Sequence, residues 1–205
     1  PKLYDIFYDK PKPLIPRYLC LGVPQRNGPD GEVVVPLDET AVRQVAKTFR
    51  NEAVESIAVA LLHSYKNPDA ERQIRNILAE ECPDLPVVLS SDISPEYREY
   101  PRTSTTVVNT VLLPRVGPYI ARLEEKLQEL GIKSDLYLMS SSGGIIAANI
   151  AKLQPVQMVE SGPAAGVIGA AFVAGLSGHR NLLALDIGGT TAKLAVVNDG
   201  EPQIA

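Results

Sequence analysis

The sequence has no tryptophan, and only two cysteines and two histidines occur among its 205 residues. Cys20 and Cys82 lie far apart and form no CxxC pair, and neither His63 nor His179 has a second ligand at metal spacing. A zinc site is therefore not expected, and free thiols in a reducing cytoplasm are the expected state of the cysteines.

The sequence also lacks a long hydrophobic run and an excess of positive charge. Its longest nearly apolar stretch, 164–176, contains glycines and is shorter than the roughly 20 residues that a membrane-spanning helix needs. The net charge is −4 with both signs mixed along the chain, which gives no basic surface for nucleic acid or an acidic membrane. There is no signal-peptide pattern and no initial Met, so we expect a cytoplasmic protein and a segment of a longer chain.

Residues 1–36 are rich in proline and contain two turn-forming dipeptides, Asn27-Gly28 and Asp30-Gly31. Because proline removes backbone donors, this region is predicted to be loops and extended chain, with short strands at 18–23 and 32–35.

An alternation of helices and strands follows. Asp38 is a suitable N-cap for a helix over 39–51, and 56–62 is an apolar run typical of a strand covered on both faces. Asn67 and Pro68 predict the start of a second helix, and 86–89 a second strand. The buried face of that second helix is predicted to consist of Ile74, Ile77 and Leu78.

A long helix is predicted over 103–130, with Gly131 as its stop signal. Pro114 and Gly117-Pro118 should break or kink it. A strand at 135–139 and a short helix near 147–153 complete the strand–helix alternation, which is the signature of a layered α/β domain.

The most informative segment begins with a helix over 163–174 built from small residues. Gly162, Gly166 and Gly169 would each weaken a helix by about 1 kcal/mol inside it. Two explanations stay open: close packing of another backbone on that face, or close approach of a ligand.

A buried strand is predicted over 182–187, with the acid Asp186 near its end, and a second strand over 193–197. The turn between them contains Gly188, Gly189, Thr190 and Thr191. Two glycines allow positive φ and let successive N–H groups face one concavity, to which the threonine hydroxyls add donors. Asp186 could hold Mg²⁺ through carboxylate and water oxygens. The alternative is an ordinary hairpin with a Gly-Gly turn.

The order GPAAGVIGAAFVAG, then LLALDIGGTTAKLAVV, resembles the actin/Hsp70/sugar-kinase ATPases, at the phosphate hairpin that opens their second lobe. The resemblance implies a ribonuclease H-like layered lobe, incomplete here, with ATP and Mg²⁺ as cofactors. The nucleotide-binding candidates are Gly188, Gly189, Thr190, Thr191, Gly162 and Gly166, and the metal candidate is Asp186.

Four further motifs narrow the resemblance: LLHSYKNPDAERQIRNILAEE, SDISPEYREYPRTSTTVVN, SSSGGIIAA and VESGPAAG. In this order they are similar to the hydantoinase-A/5-oxoprolinase family. The resemblance implies ATP-dependent opening of a cyclic amide such as a hydantoin, N-methylhydantoin or 5-oxoproline. It also implies three parts: the remainder of an amino-terminal lobe (1–158), an interlobe helix and linker (159–181), and the first hairpin of the second lobe (182–205).

Two departures from the family limit these expectations. A second DxGGT hairpin, which the family carries near its amino terminus, is absent, so we expect this chain alone not to turn over ATP. Many members carry an acid where this chain has Lys193, so Lys193 is given no metal role, although its side chain could reach a phosphate. No catalytic base can be named from spacing.

Three other functions stay open. Relatives in the family serve as subunits of ATP-dependent ketone carboxylases, which would require a second large subunit. The chain could also be a non-catalytic nucleotide-binding or scaffold module, and a homo-oligomer is compatible with either. A Rossmann dinucleotide site would use Gly162, Gly166 and Gly169 as its loop and Asp186 as its acid, although the glycine spacing does not fit.

Three other groups of residues have both a structural and a functional interpretation. Arg98, Arg102 and the hydroxyl residues 103–106 lie at a predicted helix start and could contact an anion, or simply cap the helix. Ser140 to Gly144 could line a cleft or form a flexible turn. His63 is expected to be a core or strand-edge histidine rather than a base.

Overall fold

The computed structural model describes residues 7–8 and 11–203, and these form two compact units, divided between Pro114 and Arg115. In the described residues of the first unit, an antiparallel strand pair follows a 3₁₀ turn, and helices then alternate with a parallel strand pair. Its elements are β1 (Arg26–Asn27), β2 (Val33–Val35), α1 (Glu39–Asn51), β3 (Ile57–Val59), α2 (Asp69–Glu81), β4 (Val87–Leu89), α3 (Ser90–Ile93) and the first part of α4 (Glu99–Glu129).

The helix starts of the first unit follow the predicted caps. The Asp38 carboxylate accepts a hydrogen bond from the Ala41 N–H at 3.0 Å, and α1 covers the predicted range. The Asn67 side chain accepts from the N–H of Asp69, the first residue of α2, at 3.1 Å, and Pro68 occupies the N-cap position between them. Helix α2 buries the three predicted residues against α1 and the β3–β4 pair: Ile74, Ile77 and Leu78.

Two strand predictions in this unit are wrong. Residues 18–23 contain no strand, because Pro16 leads into a 3₁₀ turn at Arg17–Leu19 closed by Leu19 N–H to Pro16 C=O at 3.0 Å. The strand at 56–62 shortens to β3, which buries Ile57 and Val59 but exposes Ala58. In the described residues β3 is therefore covered on one face rather than two.

Helix α4 is continuous through Pro114 and Gly117-Pro118, where a break or a kink is predicted, so no break occurs. Proline at this position has no N–H for the carbonyl of Thr110, four residues earlier. The hydroxyl of Ser56 donates to that carbonyl instead, at 2.9 Å. The predicted break is therefore wrong, and the donor that replaces the missing N–H of Pro114 comes from a residue distant in sequence.

The second unit consists of the end of α4, a small hairpin and a helix packed on a three-stranded sheet. Its other elements are β5 (Tyr137–Met139), β6 (Ile145–Ala147), α5 (Ala148–Leu153), α6 (Ser161–Leu176), β7 (Leu182–Ile187), β8 (Ala192–Asn198) and β9 (Glu201–Pro202). Gly131, with φ of 78°, ends α4 as predicted: its N–H bonds to Gln128 C=O and the following N–H reaches Leu127 C=O.

A mixed α/β fold is confirmed, but the strands of the described residues lie in four small sheets of two or three strands. In particular β5 pairs with β6 rather than with the β3–β4 pair. A small core of the second unit forms around Ile120, Ala148 and Ala151. None of the helices in the described residues is both long and apolar enough to cross a membrane.

Both cysteines carry free thiols, as expected. Cys20 is exposed, whereas Cys82 is buried in the core of the first unit. Burial raises the pKa of the Cys82 thiol, because the thiolate would lose its solvation there.

The Ser56–Thr110 hydrogen bond can be tested by a double-mutant cycle with Pro114. Ser56→Ala should lower the free energy of unfolding by about 1–3 kcal/mol, because it removes the hydrogen-bond donor to the Thr110 carbonyl. Thr110 is only 3% exposed, so water does not replace that donor. In a Pro114→Ala background the backbone N–H at position 114 can donate to the Thr110 carbonyl. Ser56→Ala should therefore lower the free energy of unfolding by less in that background. Urea denaturation of the four proteins measures this, and an equal cost in both backgrounds would contradict it.

Candidate functional site

The candidate site is built on the β7–β8 hairpin. Six residue pairs match in register, from Leu182 opposite Val197 to Ile187 opposite Ala192, and β9 continues the antiparallel sheet. The four-residue connection is closed by the Gly188 N–H, which donates to the Thr191 carbonyl at 2.9 Å. The predicted strand over 182–187 is confirmed, and the second strand is slightly longer than predicted.

Helix α6 packs on one face of this sheet, and the described residues leave the other face uncovered. Val197 is fully buried on the helix side, with Ala184 and Ala195 half-buried. On the outer face three β7 side chains are 62–69% exposed: Leu183, Leu185 and Ile187. The prediction that β7 is a buried strand is therefore wrong within the described residues, since only alternate side chains face a partner.

A cavity of about 490 Å³ lies between the amino-terminal half of α6 and the two strands. The helix contributes mainly small residues to it, among them Ala164, Gly166 and Ala170. From the strands, Asp186 and Lys193 contribute one charge of each sign. The space thus combines small apolar walls with one acid and one base.

The two charged residues are directly opposite each other in the strand register, yet they are not paired. The ammonium of Lys193 binds the carboxylate of Glu160, the residue immediately before α6. Asp186 is exposed, and its carboxylate makes no hydrogen bond or ion pair with any described residue. Its carboxylate is therefore available at the cavity.

The Gly-Gly-Thr-Thr connection is exposed throughout and continues from Asp186, but it does not line the cavity. The N–H groups of Gly189 and Thr190 make no hydrogen bond within the described residues, so they are free to donate to an anion. The expected positive φ is wrong: neither Gly188 nor Gly189 is among the described residues with φ above zero. A nest that depends on left-handed glycines is therefore not formed here.

The glycines of α6 do not make room for another backbone. A Cβ added at Gly162, Gly166 or Gly169 would have no atom within 4 Å, so the close-packing explanation is wrong for the described residues. Of these three, Gly166 lines the cavity and Gly162 does not.

The same helix also overturns the Rossmann alternative. The three glycines lie inside α6 rather than in a phosphate loop. Asp186 lies in an antiparallel hairpin rather than after a parallel βαβ crossover, which a dinucleotide fold requires.

Arg102 is not an anion ligand in this structure, because it is 1% exposed and its donors are used within the protein. Its guanidinium donates to the Ser90 hydroxyl at 3.2 Å, the Glu96 carbonyl at 2.8 Å and the Leu61 carbonyl at 2.9 Å. It ties together the chain segments that follow β3 and β4. No local sequence signal predicted this buried role.

His63 and the turn from Ser140 to Gly144, two further candidates from the sequence, make contacts that are structural rather than functional. His63 has φ of 58° and its ring lies edge-on to Tyr65, with centroids 6.0 Å apart. Ser140 to Gly144 connects β5 to β6, and the Ser141 N–H and hydroxyl both donate to the Gln157 carbonyl. That turn is held in place rather than free.

The residues that line the cavity could bind a divalent cation only if phosphate oxygens supplied further ligands. No group of three or more His, Cys, Asp or Glu side chains suited to a metal occurs in the part of the chain that the structure describes. Mg²⁺ is commonly bound through one or two carboxylates, with waters and substrate phosphates completing its shell. A single free carboxylate at Asp186 matches that pattern, and Glu160, which sequence reasoning missed, holds the neighbouring base.

Two family models match the sequence. The model described as hydantoinase/oxoprolinase matches residues 102–205, and the one described as hydantoinase/oxoprolinase N-terminal region matches residues 1–82. Together they cover the chain except for residues 83–101.

Curated relatives of known activity include enzymes and enzyme subunits. The acetone carboxylase beta subunit of Xanthobacter autotrophicus is 35% identical over 94% of this chain and 27% of its own length. The caprolactamase subunit alpha of Pseudomonas jessenii is 32% identical over 96% of this chain and 28% of its own. The 5-oxoprolinase of Saccharomyces cerevisiae is 33% identical over 84% of this chain and 14% of its own. The chain thus spans less than a third of each relative's length.

Two solved structures share the fold. A nucleotide-free acetone carboxylase, from a study of ATP-dependent acetone carboxylation, superposes with a TM-score of 0.86 at 34% identity, over 96% of this chain and 29% of that one. The ATP-dependent caprolactamase of Pseudomonas jessenii superposes with a TM-score of 0.84 at 33% identity, over 94% and 28%.

Proposed function

The chain belongs to the hydantoinase/oxoprolinase family, and we propose that it is the phosphate-binding segment of an ATP-dependent enzyme that opens a cyclic amide. The observation that carries this proposal is the free carboxylate of Asp186 in a cavity walled by small residues, next to a connection with unpaired N–H groups. ATP-dependent caprolactamase and 5-oxoprolinase among the relatives support the same activity.

In this proposal the hairpin and α6 bind and orient a nucleotide. The free N–H groups of Gly189 and Thr190 and the two threonine hydroxyls donate to phosphate oxygens. The Asp186 carboxylate would hold Mg²⁺. Gly166 has no side chain and so leaves space for the nucleotide on the helix side of the cavity. Bound ATP would supply a phosphoryl group to the amide oxygen or a carboxylate, which turns a poor electrophile into a reactive one.

The finer fold assignment belongs to the same proposal. We assign the segment to an actin-like ATPase architecture with a ribonuclease H-like lobe, in which α6 joins two lobes and β7–β8 opens the second. The succession of α6 and the hairpin, with Asp186 near the strand end, supports this assignment. The boundaries at 158 and 181 remain predictions.

A second candidate function is a subunit of an ATP-dependent ketone carboxylase. The similarity to the acetone carboxylase beta subunit and to the acetone carboxylase structure favours it. Both candidates use the same nucleotide site, and in both a second large subunit would take part. They differ in the substrate that stimulates ATP turnover: a hydantoin, lactam or 5-oxoproline for the first, and a ketone with bicarbonate for the second.

The role of Asp186 predicts metal-dependent nucleotide binding. The native protein should bind a nonhydrolysable ATP analogue more tightly with Mg²⁺ than with EDTA, and Asp186→Asn should remove most of that gain. Asp199→Asn is the matched control, since Asp199 is an exposed acid at the other end of the same sheet. Calorimetric titration measures the affinities, and an unchanged metal effect in Asp186→Asn would refute the assignment.

Gly166 and Gly169 provide a matched pair of substitutions in one helix. Each change to Ala should raise the free energy of unfolding by up to about 1 kcal/mol, because Ala favours helix and a Cβ meets no atom within 4 Å at either position. Only Gly166 lines the cavity, so only Gly166→Ala should weaken nucleotide binding. Denaturation and titration of both variants test this, and equal binding in the two would contradict the cavity as the nucleotide site.

A further inference from the structure

Glu160 has no role in the proposed nucleotide site as described so far, yet it binds the one base that lines the cavity. We propose that Glu160 is a positioning residue: it holds Lys193 away from Asp186 and so leaves the Asp186 carboxylate open to a divalent cation. This inference rests on the proposed function and adds one residue to its site.

The strand register makes Asp186 the natural partner of Lys193. Residues directly opposite each other in an antiparallel pair project from the same face, with Cβ atoms about 4.5–5.5 Å apart. Opposite charges in such a pair attract each other, and the four-carbon stem of a lysine spans that separation easily. Without a competing acid, Lys193 would be expected on Asp186.

Glu160 supplies the competing acid from outside the sheet. It immediately precedes α6 with a left-handed φ of 63°, and its side chain does not cap the helix. Its carboxylate binds the Lys193 ammonium instead. A left-handed conformation is unfavourable for a residue with a Cβ, so Glu160 adopts a strained backbone at the point where it makes this ion pair.

The ion pair decides which group occupies the Asp186 carboxylate. An ammonium and a divalent cation compete for the same oxygens, so a lysine on Asp186 would weaken metal binding. With Lys193 on Glu160, Asp186 has no partner among the described residues. Removing the charge of Glu160 should therefore transfer Lys193 to Asp186.

The structural consequence is tested by a crystal structure of the native protein carrying Glu160→Gln. We expect the Lys193 ammonium within about 4 Å of the Asp186 carboxylate, the usual limit for an ion pair. A Lys193 side chain that stays away from Asp186 in this variant would overturn the inference. Glu160 is exposed, so the substitution is not expected to prevent folding.

The functional consequence is tested by the ratio of nucleotide affinities with Mg²⁺ and with EDTA. In Glu160→Gln this ratio should fall by about two- to five-fold, the effect of one exposed ion pair on the shared carboxylate. The double variant Glu160→Gln with Lys193→Met should recover the native ratio, because no ammonium is left to compete. Glu201→Gln, an exposed acid on β9, controls for the loss of one negative charge and should leave the ratio unchanged.

The outcomes separate this inference from the proposed function. A native ratio in Glu160→Gln, or a low ratio that Lys193→Met fails to restore, overturns the role of Glu160 while metal-dependent binding stands. A native protein that binds no nucleotide under either condition overturns the proposed function. In that case the position of Lys193 in the Glu160→Gln crystal structure still decides whether Glu160 holds it off Asp186.

Discussion

The packing of α6 on one face of the β7–β8 hairpin is the interaction on which the candidate site depends. Side chains alternate along a strand, so the helix meets every second residue of each strand. Two of these residues, Ala184 and Ala195, lie opposite each other and are small enough for the helix to approach. Two pairs further along the ladder, Asp186 and Lys193 occupy the same face, and the helix wall beside them includes Gly166. The cavity is the consequence of placing that glycine and two charged side chains at one end of a helix–sheet contact.

Asp186 and Lys193 lie opposite each other at this end of the sheet, but they do not form an ion pair with each other. Opposite charges in direct register would normally pair, and here the base is bound by an acid from the helix side. The arrangement leaves one carboxylate without a partner, which costs little free energy at an exposed position because water solvates it.

The first unit contains a charged side chain with the opposite surroundings. There Arg102 is buried, and its donors are used by two carbonyls and a hydroxyl. In the first unit the charge of Arg102 holds chain segments together, whereas in the second unit the charge of Asp186 is left free to bind a ligand.

Local signals predicted the elements well, whereas long-range partners decided the features that were missed. Asp38, Asn67 and Gly131 act on the backbone within a few residues of themselves, so their effect is readable from sequence. The continuity of α4 depends on Ser56, which lies 54 residues from Thr110, and no window of sequence reveals that contact. The outer face of β7 is exposed because no described element covers it. The composition of a strand permits burial, but its neighbours determine whether burial occurs. Glycines at 188 and 189 likewise permit positive φ without requiring it.

The chemistry of the cavity limits what this chain could contribute to the proposed reaction. Its lining offers one carboxylate and one ammonium, and no histidine, cysteine or second acid among the described residues that line it. Such a set can bind a metal–nucleotide and orient its phosphates, since phosphoryl transfer asks mainly for positioning and charge neutralisation. Activation of water for opening an amide needs a general base within hydrogen-bond reach of that water. In the proposed nucleotide complex the Asp186 carboxylate would be bound to the cation and so could not serve as that base. If the chain takes part in the proposed amide-opening reaction, the base would come from outside this cavity, so phosphate binding and water activation would use different groups of residues.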